Sequence, residues 1–178
     1  MHPMLNIAVR AARVAGSLIV RGFENRDDLV KQVKGANDYV TQIDKEAEMA
    51  IIHKIKQSYP EHSFLGEESG ETAGDNAEFQ WIIDPLDGTT NFIKGIPHFA
   101  VSIALLHKGR LDQGVVFDPI RGELFTASRG QGAQLNGYRI RASKARDLSE
   151  TVLATGLPFR NKTQYADYAI RLNKIFHD

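Results

Sequence analysis

One short segment contains the residues whose types and spacing best indicate chemistry. Asp84 ends an apolar run, and Asp87 follows it by three residues after a proline turn, so both carboxylates can face one cavity. Gly88 lets a ligand approach the backbone closely. Thr89 and Thr90 then open a predicted helix, and the free N–H groups at a helix start attract phosphate. Two carboxylates beside a phosphate site are the arrangement that Mg²⁺ chemistry needs.

Other interpretations of this segment differ in how well they fit its spacing. A plain Asp-Pro-x-Asp-Gly surface turn is a common structure and fits the same residues. A Ca²⁺-binding loop needs Gly at its sixth position and Glu at its twelfth, but counting from Asp84 these positions hold Thr89 and Gly95. A haloacid-dehalogenase-type phosphatase has its two aspartates two residues apart. Asp84 and Asp87 are three apart, which argues against that covalent mechanism.

A second acidic cluster, Glu67 and Glu68, follows directly after the short predicted strand Ser63–Gly66. Paired acids in a loop are usually solvated. After an apolar strand, however, they can project into the cavity that Asp84 faces, where a glutamate could bind a metal ion or hold the attacking water. Both interpretations stay open on the sequence alone.

A third cluster, Asn37–Asp44, ends in an aspartate that admits two roles. Asp44 can be the N-cap of the helix that follows it. In the functional interpretation, Asp44 accepts a hydrogen bond from a threonine that orients a water molecule. Lys34 lies just upstream, and a lysine in such a position is more often exposed to solvent than bound to phosphate.

Helices are predicted on both sides of these clusters. Apolar and small residues recur every three or four positions over residues 4–20, with Gly22 as the stop signal. Residues 24–37 are charged and contain glycine, which is typical of a loop. A second helix is predicted over residues 44–59, where a proline ends it. Helical spacing returns over residues 165–176.

Strand signals fill the region between the helices. Short strands are predicted at residues 63–66 and 81–84, with a loop over 67–79 between them. Longer apolar or β-branched runs at Phe99–His107, Leu111–Phe117 and Gly122–Ala127 then indicate a meander, and Asn136-Gly137 is a strong hairpin signal. Another strand is predicted at Val152–Thr155. The order of elements predicts an α+β fold, or a layered α/β sandwich, with a mostly antiparallel sheet flanked by helices.

Composition sets outer limits on function. With 178 residues the chain has the length of about one domain, and 22 basic residues balance 22 acidic residues. Zero net charge excludes a nucleic-acid module that binds by bulk charge. The absence of cysteine excludes disulfides and thiolate nucleophiles and suits a reducing cytosol. The apolar run at residues 99–106 is shorter than the roughly 20 residues that a bilayer needs, so no membrane span is predicted.

The three clusters together are far more specific than any one of them. In these segments the sequence resembles the inositol monophosphatase family of Mg²⁺-dependent, Li⁺-sensitive phosphatases, most closely its bacterial SuhB-type (extragenic suppressor) branch. The resemblance extends over essentially the whole chain, and it implies the layered sandwich of the inositol monophosphatase and fructose bisphosphatase type. It rests on residues 38–44, 66–69, 81–92 and 130–137.

For the metal site, the resemblance implies a shared set of oxygen ligands. Glu67, Asp84 and the backbone carbonyl of Leu86 would hold a first Mg²⁺, and Asp84 and Asp87 would share a second. Glu67 would also reach a third, loosely held ion through water, with Glu68 as a neighbour of the ligands.

For catalysis, the resemblance implies roles for further residues. Thr89, hydrogen-bonded to Asp44, would orient a water molecule for in-line attack on phosphorus. The implied catalytic residues are therefore Asp44, Glu67 and Thr89. The implied substrate-binding residues are Asp87, Gly88, Thr89 and Thr90.

The function implied by the resemblance is hydrolysis of inositol 1-phosphate or a related small phosphate by a cytoplasmic homodimer. Family chains carry one more metal-binding aspartate in a later Trp-Asp-x-Ala-Ala-Gly-like motif, which this sequence lacks. Residues 1–178 are therefore expected to be the N-terminal, metal-binding phosphatase domain of a longer molecule.

An alternative function belongs to a different class. The SuhB-type branch is associated with ribosomal RNA antitermination, which implies a regulatory protein that binds RNA polymerase and Nus factors. A modest basic cluster follows the predicted hairpin, although a solvated face is the more common explanation of such a cluster. Its members are Arg139, Arg141, Lys144 and Arg146.

Overall fold

The computed structural model describes residues 2–25, 31–35, 38–158 and 161–177, with side chains described outside residues 31–35, 38–41 and 177. The chain divides into two compact units, Met1–Arg141 and Ala142–Asp178, and each is described separately. All the site residues predicted from the sequence belong to the first unit.

The first unit contains helices, a hairpin and an eight-stranded sheet. Its elements in chain order are α1 (Pro3–Glu24), β1 (Lys31–Gly35), β2 (Asp38–Thr41), α2 (Gln42–Lys56), β3 (His62–Gly66), β4 (Gly70–Thr72), β5 (Asn76–Asp87), α3 (Thr89–Lys94), β6 (Ala100–His107), β7 (Arg110–Asp118), β8 (Glu123–Ser128), β9 (Gly132–Leu135) and β10 (Tyr138–Ile140). The strands of the large sheet lie in the order β10-β9-β8-β7-β6-β5-β3-β4. Its neighbouring strands are antiparallel except β3 and β5, which are parallel. The predicted α+β fold with a mostly antiparallel sheet is confirmed.

The second unit contains α4 (Tyr165–His177) and two short 3-10 turns, at Leu148–Glu150 and Lys162–Gln164. The helix predicted from the spacing of residues 165–176 is confirmed. The strand predicted at Val152–Thr155 is wrong, because these residues have no regular structure. Val152 is 98% exposed, and a β-branched run forms a strand only where a neighbouring strand or a core accepts its side chains.

Tight turns join several strands of the large sheet. Asn136 and Gly137 connect β9 to β10 with φ angles of 50° and 85°, and Lys108 and Gly109 connect β6 to β7 with 53° and 71°. Positive φ at both central residues matches the twist of antiparallel strands. The meander and the Asn-Gly hairpin predicted from the sequence are confirmed.

The helices α1 and α2 pack against each other and against the sheet, with α1 on β6 and β7 and α2 on β5. Small side chains on α1 let the helix lie close to its neighbours. By length and composition alone α1 could cross a membrane, with a mean hydropathy of 1.3 in its most apolar window. The sequence analysis, which considered the run at residues 99–106, did not identify α1 as such a helix. The fully buried residues of α1 and α2 are Ala11, Ala12, Ala15, Ile19, Ala47, Ile51 and Ile55, which identifies both as core helices.

Three predicted helix boundaries are wrong, and the error at the end of α1 has a packing reason. Gly22 does not stop α1, which continues to Glu24. A Cβ atom at Gly22 would lie 2.6 Å from Ile43 Cγ1, so the glycine is there to admit α2. The helix predicted over residues 44–59 begins and ends earlier, at the bounds given for α2.

The strands missed by the sequence analysis are those rich in charge and glycine. The loop predicted over residues 24–37 contains β1, which pairs with β2. The loop predicted over residues 67–79 contains β4 and the start of β5, which has 12 residues rather than the predicted four. Pairing with a distant strand, and not a local pattern, determines the structure of these segments.

Candidate active site

Two of the predicted aspartates lie at the end of β5. Pairing of β5 with β6 is regular up to Asp84, opposite Ser102, and is interrupted before Asp87, opposite Ala100. The backbone N–H of Leu86 donates a hydrogen bond to Asp84 Oδ1 at 3.1 Å. Leu86 is fully buried and anchors this loop, while Asp84 is half-buried and Asp87 is exposed. The two carboxylates therefore leave the sheet at the same edge.

Gly88 turns the chain from β5 into α3. Its φ is 100°, and a Cβ atom there would lie 3.0 Å from the His98 carbonyl oxygen and 3.1 Å from Phe99 Cβ. The helix α3 begins at Thr89, as predicted. Its buried Phe92 packs edge-on against Phe99, with ring centroids 5.5 Å apart. Glycine is therefore required at position 88 because His98 and Phe99 leave little space for a Cβ atom there. The sequence analysis missed this reason.

The hydroxyl of Thr89 connects this turn to α2. Thr89 Oγ1 lies 3.0 Å from the Leu86 carbonyl oxygen and 3.3 Å from Asp44 Oδ2. A hydroxyl has a single proton, so Thr89 donates to one of these acceptors at a time. Asp44 is 1% exposed and lies inside the first turn of α2. The interpretation of Asp44 as the helix N-cap is therefore wrong, and the interpretation as a partner of a threonine fits the geometry.

The second acidic cluster lies at the end of β3, beside the end of β5. Because β3 and β5 are parallel neighbours, with Gly66 opposite Ile83, their carboxyl ends meet at one edge. The backbone N–H of Glu67 continues this pairing and donates to the Ile83 carbonyl at 3.0 Å. Glu67 and Asp84 each directly follow the last pair formed between β3 and β5, Gly66 and Ile83, which places the two residues side by side.

The pKa of Asp84 is raised to about 7. Burial is the main cause, followed by the negative charges of Glu67 and Asp87 and by a hydrogen bond with the Glu67 side chain. The hydrogen bond from the Leu86 N–H acts in the opposite direction. Asp84 therefore lies within electrostatic reach of both other predicted metal-binding carboxylates.

The pKa of Asp44 is raised to about 8. Burial is again the main cause, followed by the negative charges of Glu68, Glu67 and Asp84, while the hydrogen bond with Thr89 lowers it. Five acidic side chains, from α2, from the turn after β3 and from β5, thus influence one another in one place. Crowded carboxylates of this kind favour a bound cation, because a positive charge stabilises their ionised form.

The donor chemistry of the site fits a hard divalent cation. Carboxylate and backbone carbonyl oxygens are the ligands that Mg²⁺ prefers, and Glu67, Asp84, Asp87 and the Leu86 carbonyl supply both kinds. Within the described ranges, no three acidic or histidine side chains already form a closed metal-binding group.

A buried glutamate that the sequence analysis missed lies next to the cluster. Glu48, on α2, is 2% exposed. Its carboxylate accepts hydrogen bonds from the backbone N–H groups of Glu68 and Ser69, each at 2.9 Å. The signal available in the sequence is spacing, since Glu48 lies one helical turn after Asp44 and therefore on the same face of α2.

The remaining predicted residues lie at the margin of the site or outside the described residues. Thr90 is exposed in the first turn of α3. His98 Nδ1 lies 3.3 Å from Arg121 Nη1, a contact with the turn between β7 and β8. Asn37 and the side chain of Lys34 lie outside what the structure describes.

Comparison with known proteins supplies the family. The family model described as "Inositol monophosphatase family" matches residues 1–177. The chain belongs to the inositol monophosphatase family. Its acidic cluster at the ends of β3 and β5 therefore lies in a fold shared by phosphatases, as the resemblance in the sequence implied.

Two bacterial members of the inositol monophosphatase family illustrate the similarity. The protein described as Nus factor SuhB from Escherichia coli (strain K12) is 59% identical over 178 residues, which is 100% of this chain and 67% of that protein. A protein of the same description from Vibrio cholerae is 53% identical over 99% of this chain and 66% of its own length. The chain thus spans about two thirds of the length of these relatives.

Solved structures of family members have the same fold. The extragenic suppressor protein suhB from Bartonella henselae superposes with a TM-score of 0.95 at 42% identity, over 99% of this chain and 68% of that one. The inositol monophosphatase from Anabaena (Nostoc) superposes with a TM-score of 0.68 at 36% identity, over 82% of this chain and 51% of that one. The fold predicted from the resemblance is confirmed.

Proposed function

We propose that this protein is a Mg²⁺-dependent phosphomonoesterase that hydrolyses inositol 1-phosphate or a related small phosphate ester. The observation that carries the proposal is that Glu67, Asp84 and Asp87 lie where the parallel strands β3 and β5 end side by side. Membership of the inositol monophosphatase family supports it. On the same basis we propose a Li⁺-sensitive, cytoplasmic homodimer.

The ligands of the metal ions in this proposal are Glu67, Asp84, Asp87 and the Leu86 carbonyl. Bound divalent ions activate water and neutralise the charge that develops on the phosphoryl group and the leaving oxygen. The buried Leu86 fixes its own carbonyl, and the N–H of Leu86 orients the Asp84 carboxylate at 3.1 Å. Asp87, the most exposed of the aspartates, faces the side from which a substrate arrives.

Thr89 and Asp44 orient the attacking water. When Thr89 donates its proton to Asp44, both lone pairs of the Leu86 carbonyl oxygen are free for other partners. The lone pairs of Thr89 then accept a hydrogen bond from water, which fixes the position of that water. Gly88 and Thr90 flank Thr89 and contact the phosphate oxygens.

The proposal is tested by phosphate release from inositol 1-phosphate, measured during titration with Mg²⁺ and then with Li⁺. We expect Mg²⁺-dependent release that Li⁺ inhibits. Asp87→Asn should reduce turnover by about 100-fold or more, the usual cost of one lost charge-stabilising contact. Asp75→Asn, a matched change at an exposed aspartate outside the cluster, should leave turnover unchanged. Asp87→Asn that folds and turns over like the wild type would refute the assignment.

A second candidate function is binding to the transcription machinery. It is favoured by the 59% identity to a protein described as a Nus factor. We propose RNA polymerase and antitermination factors as the partners, and four exposed basic side chains as contacts. These are Arg139, which lies in β10, and Arg141, Lys144 and Arg146, which follow it in the chain. A pull-down with purified RNA polymerase and Nus factors should lose these partners when all four residues are changed to glutamine, and unchanged retention would place the contact elsewhere.

A further inference from the structure

Glu48 is held in a part of the structure where a carboxylate is expensive to bury. The side chain is 2% exposed, and a buried charged group is costly unless hydrogen bonds replace its water. Two backbone N–H groups do so, those of Glu68 and Ser69 at 2.9 Å each. Glu48 is therefore the acceptor for two backbone amides of the turn that follows β3.

The contacts of Glu48 fix the backbone on either side of the proposed ligand Glu67. The N–H of Glu67 donates to the Ile83 carbonyl at 3.0 Å, and the next two N–H groups donate to the two oxygens of Glu48. Three successive amides are thus bonded to two different elements, β5 and α2. The backbone from which Glu67 projects consequently has little freedom to rotate.

Gly66 leaves the space that the Glu48 carboxylate occupies. A Cβ atom at Gly66 would lie 2.5 Å from Cδ and Oε2 of Glu48. The carboxylate therefore fits against the bare backbone of a glycine, and a larger residue would push it away from the two amides. The contact explains the glycine that precedes the acidic pair in Gly66-Glu67-Glu68-Ser69.

The helix α2 joins the two halves of the candidate site. Its core face is anchored by the fully buried residues Ala47, Ile51 and Ile55. Asp44 reaches Thr89 at 3.3 Å, and Glu48, one turn later, reaches the loop that contains Glu67. A single rigid helix therefore sets the position of the water-orienting threonine and of a metal ligand relative to each other.

We propose that Glu48 is a positioning residue of the phosphatase site, which holds the loop 66–69 so that Glu67 faces Asp84 across the cation site. This inference rests on the function proposed above. A group that orients a metal ligand without touching the ion typically changes metal affinity by about 10–100-fold when it is removed. The expected signature is thus a change in metal requirement and not a loss of chemistry at saturating metal.

The test compares Glu48→Gln with Glu46→Gln, a matched change on the same helix at a residue that bonds only to the exposed Gln42 side chain in the described contacts. Amide hydrogen exchange at Glu68 and Ser69, measured by NMR without metal, reports the loop directly. We expect slow exchange in the wild type and in Glu46→Gln and at least tenfold faster exchange at one of the two amides in Glu48→Gln. Fast exchange of both amides in the wild type would overturn the inference, whether or not the variant folds.

Metal binding gives the second readout. Binding of Mn²⁺, followed by the EPR signal of the free ion, should weaken at least tenfold in Glu48→Gln and stay unchanged in Glu46→Gln. The Mg²⁺ concentration for half-maximal phosphate release should rise by the same factor, with turnover at saturating Mg²⁺ within about threefold of the wild type. A folded Glu48→Gln protein with wild-type Mn²⁺ affinity would overturn the inference. If the wild type released no phosphate, the proposed function would fail alone, because exchange and Mn²⁺ binding would still decide the role of Glu48.

Discussion

The contact between Gly22 and Ile43 gives a prediction in which two ordinary effects have opposite signs. In the interior of a helix, Gly→Ala stabilises by roughly 0.5–1 kcal/mol because glycine loses more backbone entropy on folding. At Gly22, however, the new Cβ would lie 2.6 Å from Cγ1 and 2.8 Å from Cδ1 of Ile43. We therefore expect Gly22→Ala to destabilise the protein in spite of its better helix propensity.

The size of the destabilisation depends on how little the Ile43 side chain can move. A β-branched side chain in a helix has one strongly preferred χ1 rotamer, so Ile43 moves mainly by shifting α2 itself. Overpacking of this kind costs about 1–3 kcal/mol. After subtraction of the gain in helix propensity, the free energy of unfolding should fall by about 0.5–2 kcal/mol.

Urea denaturation of four proteins measures the two effects separately. These are the wild type, Gly22→Ala, Ile43→Ala and the double variant. Truncation of Ile43 removes the clash, so Gly22→Ala should stabilise the Ile43→Ala background by about 0.5–1 kcal/mol. The coupling free energy of the cycle should then be about 1–3 kcal/mol. Stabilisation by Gly22→Ala in both backgrounds, with coupling near zero, would refute the packing argument.

Three further predictions concern the core and the site. Burial lowers the pKa of His62, whose ring accepts a hydrogen bond from the Trp81 indole N–H at 3.0 Å. The unfolded state therefore binds the proton better, and stability is lost as the pH falls through 6.5. Between pH 7.5 and 5.5 the free energy of unfolding should fall more in the wild type than in His62→Phe, and the contribution of the acidic cluster cancels because both proteins contain it. Gly88→Ala, at φ 100° and 3.0 Å from the His98 carbonyl oxygen, should cost about 2–4 kcal/mol in urea denaturation, and a cost below 0.5 would contradict this. Thr89→Val should lower turnover by about 100-fold while Mn²⁺ binding is retained, and Thr89→Ser should keep most of the activity. Equal rates for the two variants would exclude a role of the Thr89 hydroxyl in turnover.

The sequence predicts the residues of the site better than their partners. Asp84, Asp87 and Thr89 lie within one turn of chain, so their relationship is local and visible in the spacing. The pairing of Thr89 with Asp44 spans 45 residues, and the sequence alone left a helix N-cap as the alternative. The resemblance to a family favoured the functional interpretation, and the structure provides the contact.

Glu48 shows why part of the site escaped prediction. In the sequence it is one of several acids on an amphipathic helix, and such residues are usually solvated. Its partners are backbone amides 20 and 21 residues away, and no side-chain pattern marks a backbone donor. Only the fold brings the end of β3 against the first turns of α2.

The missed glycine and strand assignments have a related cause. A glycine at the end of a periodic apolar pattern predicts a helix stop, whereas the role of Gly22 is to admit Ile43. Asn136-Gly137 was assigned correctly because a two-residue turn is determined by its own backbone angles. Local conformational rules are readable in the sequence, and contacts between distant segments are not.

The most direct test of the central claim is a calorimetric titration of the protein with Mn²⁺ in the absence of substrate, comparing the wild type with Asp84→Asn and with the control Asp75→Asn. Asp84 is the residue at which burial, Glu67 and Asp87 act together. We expect the wild type and Asp75→Asn to bind Mn²⁺ alike, and folded Asp84→Asn to bind at least about tenfold more weakly. Identical isotherms for all three proteins would show that the acidic cluster at the ends of β3 and β5 is not a metal site.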